Sequence, residues 1–433
     1  MRVSHARFLL NVRIIYSHVI MLYFFHRTHA ESRSQMKKSN PFIIYLLMFN
    51  MFIIMAGIGL IVPIMPKYLE TFGAAGQALG LIIAAFAFAQ FVFSPIAGDL
   101  SDKYGRKKLI VIGLALFGLS QLWFGTATHE WMLYAARFVS GIGGAFLIPP
   151  TMAFVADITT YEDRGKGMGY IGAAMSLGFM IGPGIGGLFS AISLNFPFYV
   201  SSATALLAMV FSLFVLPDIR NKEIVDPTKS RENIVQQMRR SFYTPYFMML
   251  LIIFVFSFGI ANFQATFALY MNYKFSFSPE QIAIVLTAGG FVGVVIQMFM
   301  IDRLFKRFGE MQIILSSLVF AAVTLFGMLF VHQFFSILLV ATLFSIAVTL
   351  IRPAVNTVVS KLAGTEQGFA AGMNNAYMSL GNMVGPALAG LLFDWNYNLP
   401  FVVGSLVLLG TFFLTAIWMR RKQLDLHSTS VNT

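Results

Sequence analysis

Apolar runs of about 20 residues recur along nearly the whole chain, and their length constrains the fold more than any other feature. A helix of that length crosses the hydrocarbon core of a bilayer. Inside hydrocarbon every backbone amide needs a partner within the protein, so only helices and closed barrels can span a membrane. These runs are continuous rather than alternating, which excludes a barrel. The sequence therefore predicts an all-α, multi-pass protein embedded in a lipid bilayer.

Placing one helix on each run predicts twelve spans arranged as two six-helix bundles. We expect a first bundle over 36–216, a linker over 217–244, a second bundle over 245–419 and a tail over 420–433. The predicted spans cover 42–65, 75–99, 108–127, 131–156, 167–191, 195–216, 246–271, 280–301, 311–331, 334–359, 367–393 and 398–419.

Basic residues fall almost entirely on one side of this arrangement. The segments that would share a side with the start of the first span hold 21 Lys and Arg, whereas the opposite loops hold only Lys67 and Lys274. Cytoplasmic loops of membrane proteins accumulate Lys and Arg, so both ends of the helical core are predicted to be cytoplasmic. The net charge of +12 follows from the same bias and does not indicate nucleic-acid binding.

Residues 1–35 stand apart from the helical core. They contain five arginines and a short apolar run over 14–25, which Ser17 and His18 interrupt. The run is too short for a span and could belong to a signal-like segment. We favour an upstream extension, with the natural start at Met36.

No catalytic chemistry is visible in the sequence. The chain has no cysteine, and its seven histidines show no metal-ligand spacing. No HExxH, P-loop or GxSxG motif is present. We therefore expect no metal, no cofactor, no catalytic residue and no enzyme activity.

The chain repeats itself at an offset of 203 residues. Aligning 160–189 with 363–392 gives twelve identities in thirty positions, including Gly182-Pro183 with Gly385-Pro386. The fifth span is thus repeated as the eleventh. Such internal repeats are typical of secondary transporters, whose substrate path lies between the repeats.

The loop over 98–108 combines glycines with both signs of charge. Gly98 and Gly105 are expected to permit tight turns. Asp99, Asp102 and Arg106 are expected to form an ion-pair latch that is made and broken during a conformational change. A solvated, positively charged loop is the alternative interpretation.

The fifth predicted span contains a ridge of small residues. Gly178, Gly182 and Gly186 follow Ala174 at intervals of four, so they share one helix face and let another helix approach closely. Pro183 removes a backbone hydrogen bond and can bend the helix. Gly187 completes the motif.

Two arginines are predicted to lie well inside spans. A charge within the membrane is a functional hypothesis by default, and this applies to Arg137 and Arg352. Arg137 lies near enough to a helix end that snorkelling to the interface is the alternative.

These motifs resemble those of a known transporter family. The loop over 98–108 is similar to the loop signature of the major facilitator superfamily, and 178–187 is similar to the span-five motif of its antiporters. The string around Arg137 is similar to a span-four motif linked to proton coupling. Residues 41–419 together resemble the drug:proton antiporters of the superfamily, of the NorA and Bmr type. Further similar strings lie at 57–63, 351–354, 367–370 and 381–386.

The resemblance implies export of small amphipathic compounds, often cationic drugs and dyes and including fluoroquinolones, in exchange for protons across a bacterial cytoplasmic membrane. It also implies a pocket role for Asn382. We expect the protein to be a monomer. An exporter or flippase of an endogenous anionic or neutral amphiphile remains an alternative, as does, more distantly, a receptor or scaffold without transport activity.

The chain departs from these relatives at two acidic positions. The relatives carry a glutamate in span seven and an aspartate three residues before the span-ten arginine, where this chain has Gln264 and Thr349. Neither replacement can exchange a proton near neutral pH. We therefore expect Arg352 to stay an open positive charge facing the central cavity, with its cost offset by hydration, by polar groups such as Asn356, or by an anionic group of the substrate. Protons would then use carboxylates near the cytoplasmic ends, of which Asp99 and Asp157 are the best placed.

Deleting residues 1–35 should leave transport unchanged, because a conventional cytoplasmic end begins at Met36. The measurement is dye efflux from cells that hold equal amounts of the full-length and shortened proteins. Loss of efflux at equal abundance would contradict the interpretation of an extension.

Overall fold

A computed structural model describes residues 41–74, 76–159, 164–218, 234–364 and 366–431. Throughout these ranges the regular structure is helical, which confirms the predicted fold class. Residues 1–40, and with them the proposed start at Met36, lie outside the described residues, as does most of the predicted linker.

The described residues of the first half of the chain form six long helices and one short one. Their bounds are α1 Pro41–Gly59, α2 Met65–Glu70, α3 Gly76–Tyr104, α4 Arg106–Gly125, α5 Glu130–Ile158, α6 Arg164–Ser190 and α7 Phe196–Val215.

The second half repeats this arrangement and adds short helices at its loops. Twelve helices in the described ranges are long and apolar enough to cross a membrane, as the sequence predicts. The bounds in this half are α8 Ile234–Ser241, α9 Phe247–Phe275, α10 Pro279–Phe299, α11 Ile301–Phe308, α12 Glu310–Gly327, α13 Phe334–Ala363, α14 Gln367–Trp395 and α15 Leu399–Val431.

Several helix ends differ from the predicted ones, and two of these differences change the segment that follows the helix. α1 ends at Gly59 rather than near 65, and the chain turns through 60–64 before α2 begins. Pro63 and Pro66 explain this end, because neither has an amide hydrogen to continue the helical ladder. α15 continues to Val431 instead of ending near 419, so the predicted tail extends the last helix.

The glycine ridge of α6 packs against α1 within the first bundle. A Cβ atom placed on Gly186 would lie 2.1 Å from the carbonyl oxygen of Leu60, and one on Gly182 would lie 2.7 Å from that of Ala56. Only glycine therefore fits at these positions. The repeat is reproduced in the second bundle, where a Cβ atom on Gly381 would lie 2.4 Å from the carbonyl oxygen of Phe254.

Glycines also form the contacts between the two bundles. α3 crosses α14, where a Cβ atom on Gly80 would lie 2.3 Å from the carbonyl oxygen of Pro386. α6 crosses α10, where a Cβ atom on Gly187 would lie 2.4 Å from the Cβ of Ala283. The two crossings are related by the 203-residue repeat, since Gly80 corresponds to Ala283. We call this side of the molecule, where α3 and α10 begin, the closed end.

The opposite side, which carries the loop over 98–108, is more open, and we call it the latch end. A Cβ atom on Gly98 of α3, Gly169 of α6 or Gly372 of α14 would meet no atom within 4 Å. The helices that cross at the closed end therefore leave open space beside them toward the latch end.

Replacing Gly186 by alanine should destabilise the protein by about 1–3 kcal/mol, because the new methyl group would overlap the backbone of Leu60, which follows the end of α1. Gly172→Ala is the matched control on the same helix, since a Cβ atom there meets nothing within 4 Å. Alanine should be neutral or slightly stabilising at that position. Thermal unfolding in detergent micelles measures both, and equal effects would contradict the packing described.

Candidate functional site

A small cavity of about 50 Å³ lies on the closed-end side of the molecule, lined mainly by the first bundle, with Gln264 of the second bundle completing its wall. Its two polar residues come from different halves of the chain, because Arg137 belongs to α5 and Gln264 to α9. The rest of the wall is apolar and includes Ile58, Met65, Phe86, Phe179 and five further aliphatic side chains. The sequence predicts roles for both polar residues but does not predict that they share a wall.

Arg137 is buried, and no carboxylate among the described residues pairs with it. The residue is 4% exposed, so the guanidinium does not extend to solvent at the start of α5, as the snorkelling alternative would require. Its Nε and Nη1 atoms have no hydrogen-bond partner in the described part of the chain. The guanidinium carbon lies 5.7 Å from the ring centre of Phe86 and 5.5 Å from that of Phe124. These aromatic faces attract the cation, but less strongly than a carboxylate would.

The missing partner has an energetic consequence. Removing an ion from water costs several kcal/mol even after the protein relaxes, unless a counter-charge and hydrogen bonds compensate. Gln264 can donate or accept a hydrogen bond but carries no charge. The cavity is therefore electropositive, and a bound anion would lower the free energy of Arg137.

The remaining predicted cavity residues do not line this cavity. Thr349 packs against α10, where a Cβ atom on Gly293 would lie 2.6 Å from its hydroxyl oxygen. Asn356 is exposed and accepts a hydrogen bond from Asn374 (3.1 Å). Asn382 is half-buried.

The side chain of Arg352 is exposed. Within the described ranges its side chain forms no ion pair, and Thr349 lies three residues before it on the same helix. Its charge lies outside the wall that Arg137 and Gln264 share.

The predicted latch is present and is contained in the first bundle. Arg106 forms an ion pair with Asp102, and its Nη1 donates to the hydroxyl of Ser101 (2.5 Å). Its Nε donates to Asp157 at the end of α5 (3.2 Å). Gly105 precedes Arg106 with φ of 99°, a conformation that glycine adopts without strain. Arg106 thus joins the end of α3, the start of α4 and the end of α5.

The second bundle contains the same ion pair with its charges reversed. Lys361 donates to Glu310 (2.6 Å), and these positions follow Asp157 and Arg106 by 204 residues. The side chains of Arg106 and Asp157 are 14% and 15% exposed, whereas those of Lys361 and Glu310 are 62% and 22% exposed. The pair in the first bundle is better shielded from water and is therefore the stronger of the two.

One detail of the latch loop differs from the sequence analysis. Gly98 does not form a turn, because α3 continues through it to Tyr104. The turn depends on Gly105 alone. Asp99 is exposed on the last turns of α3.

The closed end contains a buried aromatic cluster that the sequence analysis missed. The Tyr68 hydroxyl of α2 donates to the carbonyl oxygen of Phe124 (2.7 Å), and its ring lies 5.1 Å from that of Phe198. Burial raises the pKa of Tyr68 above its ordinary value. Leu269 of α9 packs into the same cluster, so the apolar closure includes both bundles.

Comparison with known proteins agrees with this architecture. The Major Facilitator Superfamily profile matches residues 47–268 and 249–430. The chain is 39% identical to Multidrug resistance protein 2 of Bacillus subtilis over 393 residues, which cover 89% of this chain and 98% of that protein. It is 36% identical to the quinolone resistance protein NorA of Staphylococcus aureus over 358 residues, 82% of this chain and 91% of NorA.

A solved structure shares the fold at low sequence identity. The inward-facing, occupied structure of a bacterial homologue of the human lysosomal transporter Spinster aligns with a TM-score of 0.72 and 14% identity. The alignment covers 88% of this chain and 97% of that one. The fold and the paired bundles define a secondary transporter. The chain belongs to the Major Facilitator Superfamily.

Asp102→Asn and Asp157→Asn should each lower the turnover of transport several-fold while leaving the substrate Kd largely unchanged. The latch lies away from the cavity, so its loss affects conformational change rather than binding. Glu310→Gln breaks the equivalent but more exposed pair and should have a smaller effect. Vesicle efflux rates and equilibrium binding measure the two quantities. Unchanged turnover in both aspartate variants would contradict a role for the latch.

Proposed function

We propose that this protein is a secondary active transporter that exports amphipathic compounds by alternating access, in exchange for protons. The observation that carries the proposal is a cavity between two bundles that cross at one end and leave open space at the other. Relatives named for multidrug and quinolone resistance, at 36% to 40% identity over most of the chain, support drug efflux.

The charge distribution supports an orientation. The latch end carries the basic loops, and cytoplasmic loops accumulate Lys and Arg. The latch end then faces the cytoplasm, together with both ends of the helical core, in a bacterial cytoplasmic membrane. The closed end faces outward, and the conformation is inward-open. The protein acts as a monomer and performs no covalent chemistry.

The position of acidic residues limits how protons can be coupled. Proton relays in membranes usually employ embedded Asp, Glu or His, and the two acids of the relatives are replaced here by Gln264 and Thr349. Asp157 pairs with Arg106 at the latch end. Protonation of Asp157 would weaken this pair and release the latch. Asp157 is therefore the proposed proton carrier, and Asp99 near the latch end of α3 is the second candidate.

The cavity favours a particular class of substrate. Arg137 has an uncompensated charge, and guanidinium groups bind carboxylates with two parallel hydrogen bonds. Apolar walls would bind the hydrophobic part of the same molecule. Zwitterionic or anionic amphiphiles should therefore be preferred over dications, and an endogenous anionic amphiphile is the second candidate substrate.

The function is tested by efflux from everted vesicles with and without an imposed pH gradient. The transporter should accumulate a zwitterionic quinolone only when the gradient is present. Accumulation that is equal with and without the gradient would contradict proton coupling. Absence of accumulation under both conditions would contradict export of this substrate class.

Gln264→Glu should increase ethidium export and decrease export of the quinolone, because the new carboxylate neutralises Arg137 across the cavity. The matched control is Thr349→Asp, which adds the same charge outside this wall and should change the ratio less. The two transport rates are measured in the same vesicles. Strong ethidium export by the unmodified protein, with no change in Gln264→Glu, would contradict the specificity proposed.

A further inference from the structure

Asp394, at the end of α14, binds the start of α3 across the boundary between the bundles. The backbone amide of Gly76 donates to Asp394 Oδ1 (3.0 Å), and that of Gln77 donates to Oδ2 (2.9 Å). The donors and acceptor are more than 300 residues apart in the sequence. A side chain of the second bundle therefore completes the hydrogen bonding of a helix in the first.

The chemistry of this contact is that of a helix cap. The first four amides of a helix have no acceptor within the helix, and the N-terminus carries a partial positive charge. A carboxylate satisfies both requirements, and its hydrogen bonds are stronger than those of a neutral acceptor. Helix caps usually come from the residue before the helix, whereas this one comes from the opposite bundle.

The second inter-bundle crossing shows that glycine packing does not require such a cap. α10 is the repeat of α3, and it is capped locally by Ser278, whose hydroxyl accepts from the amide of Gln281 (3.4 Å). The residue that corresponds to Asp394 by the 203-residue repeat is Ala191, which has no polar side chain. A carboxylate is also present at this second crossing, where Glu280 of α10 is hydrogen-bonded to Ser190 of α6. The capping of a helix N-terminus by a carboxylate of the opposite bundle is therefore specific to the crossing of α3 and α14.

We propose that Asp394 is a gating residue that holds the closed end shut in the inward-open state and releases α3 when the closed end opens. Separation of α3 from α14 would break both hydrogen bonds, and water would then hydrate the carboxylate and the two amides. Asp394 is already exposed, so this exchange is possible without burying a charge. The contact would bias the conformational equilibrium rather than lock it. The inference rests on the alternating access proposed above.

Distances between spin labels test this directly, because the chain has no native cysteine. Labels at Thr128→Cys and His332→Cys would report the separation of the bundles, since both residues are exposed and precede helices that start at the closed end. Distances are measured by electron paramagnetic resonance in lipid nanodiscs without substrate. Asp394→Ala should raise the ratio of long to short distances about ten-fold, the size expected for losing hydrogen bonds to a charged group.

Asp394→Asn keeps one carbonyl acceptor and should give an intermediate ratio. Glu130→Gln is the control, since it removes a carboxylate at the same end whose hydrogen bond to Tyr134 stays within α5. It should leave the ratio unchanged. Unaltered distances in both folded Asp394 variants would overturn the proposal. The distance measurement uses neither substrate nor a pH gradient, so its outcome is independent of the efflux assay. The gating role of Asp394 can therefore be disproved while the proposed export is confirmed, or confirmed while the proposed export is disproved.

Discussion

Close approach of helix backbones is the constraint on which the rest of this structure depends. Lipid tails are as apolar as leucine, so no hydrophobic force drives helices together inside a bilayer, and packing must do so. Gly182 and Gly186 let α6 pack against α1, and Gly80 and Gly187 let the two bundles touch. These contacts lie at one end of the bundles. The arrangement leaves a cavity between the bundles and an open region toward the latch end.

The cavity gives the buried charge of Arg137 a possible ligand. Arg137 would be costly in a static bundle, because two of its nitrogen atoms have no hydrogen-bond partner within the described residues. In a transporter the cost is offset whenever an anionic group occupies the cavity. Gln264 strengthens this argument, because a carboxylate there would neutralise the arginine in the absence of substrate. The same two residues therefore connect the fold to a substrate preference.

Much of the fold was predictable because membrane spans and repeats leave local signals. The twelve spans, the glycine ridge and the latch loop all depend on spacing within one segment. Asp157 was predicted as a proton carrier, but its pairing with Arg106 depends on how α5 meets α4. The shared wall of Arg137 and Gln264 likewise depends on tertiary packing. The sequence did not predict a role for Asp394, because acidic residues are common at the ends of membrane spans. The internal repeat only aligns its helix, α14, with α6.

Accessibility of the cavity from each side of the membrane tests alternating access most directly. A single cysteine at Gln264 can be labelled with a membrane-impermeant thiol reagent, since the chain has no other cysteine. Reagent on the cytoplasmic face should label it without a pH gradient, whereas reagent on the outer face should label it only after a gradient and substrate are supplied. Equal labelling from the outer face under both conditions would contradict a cavity that is closed toward the outside.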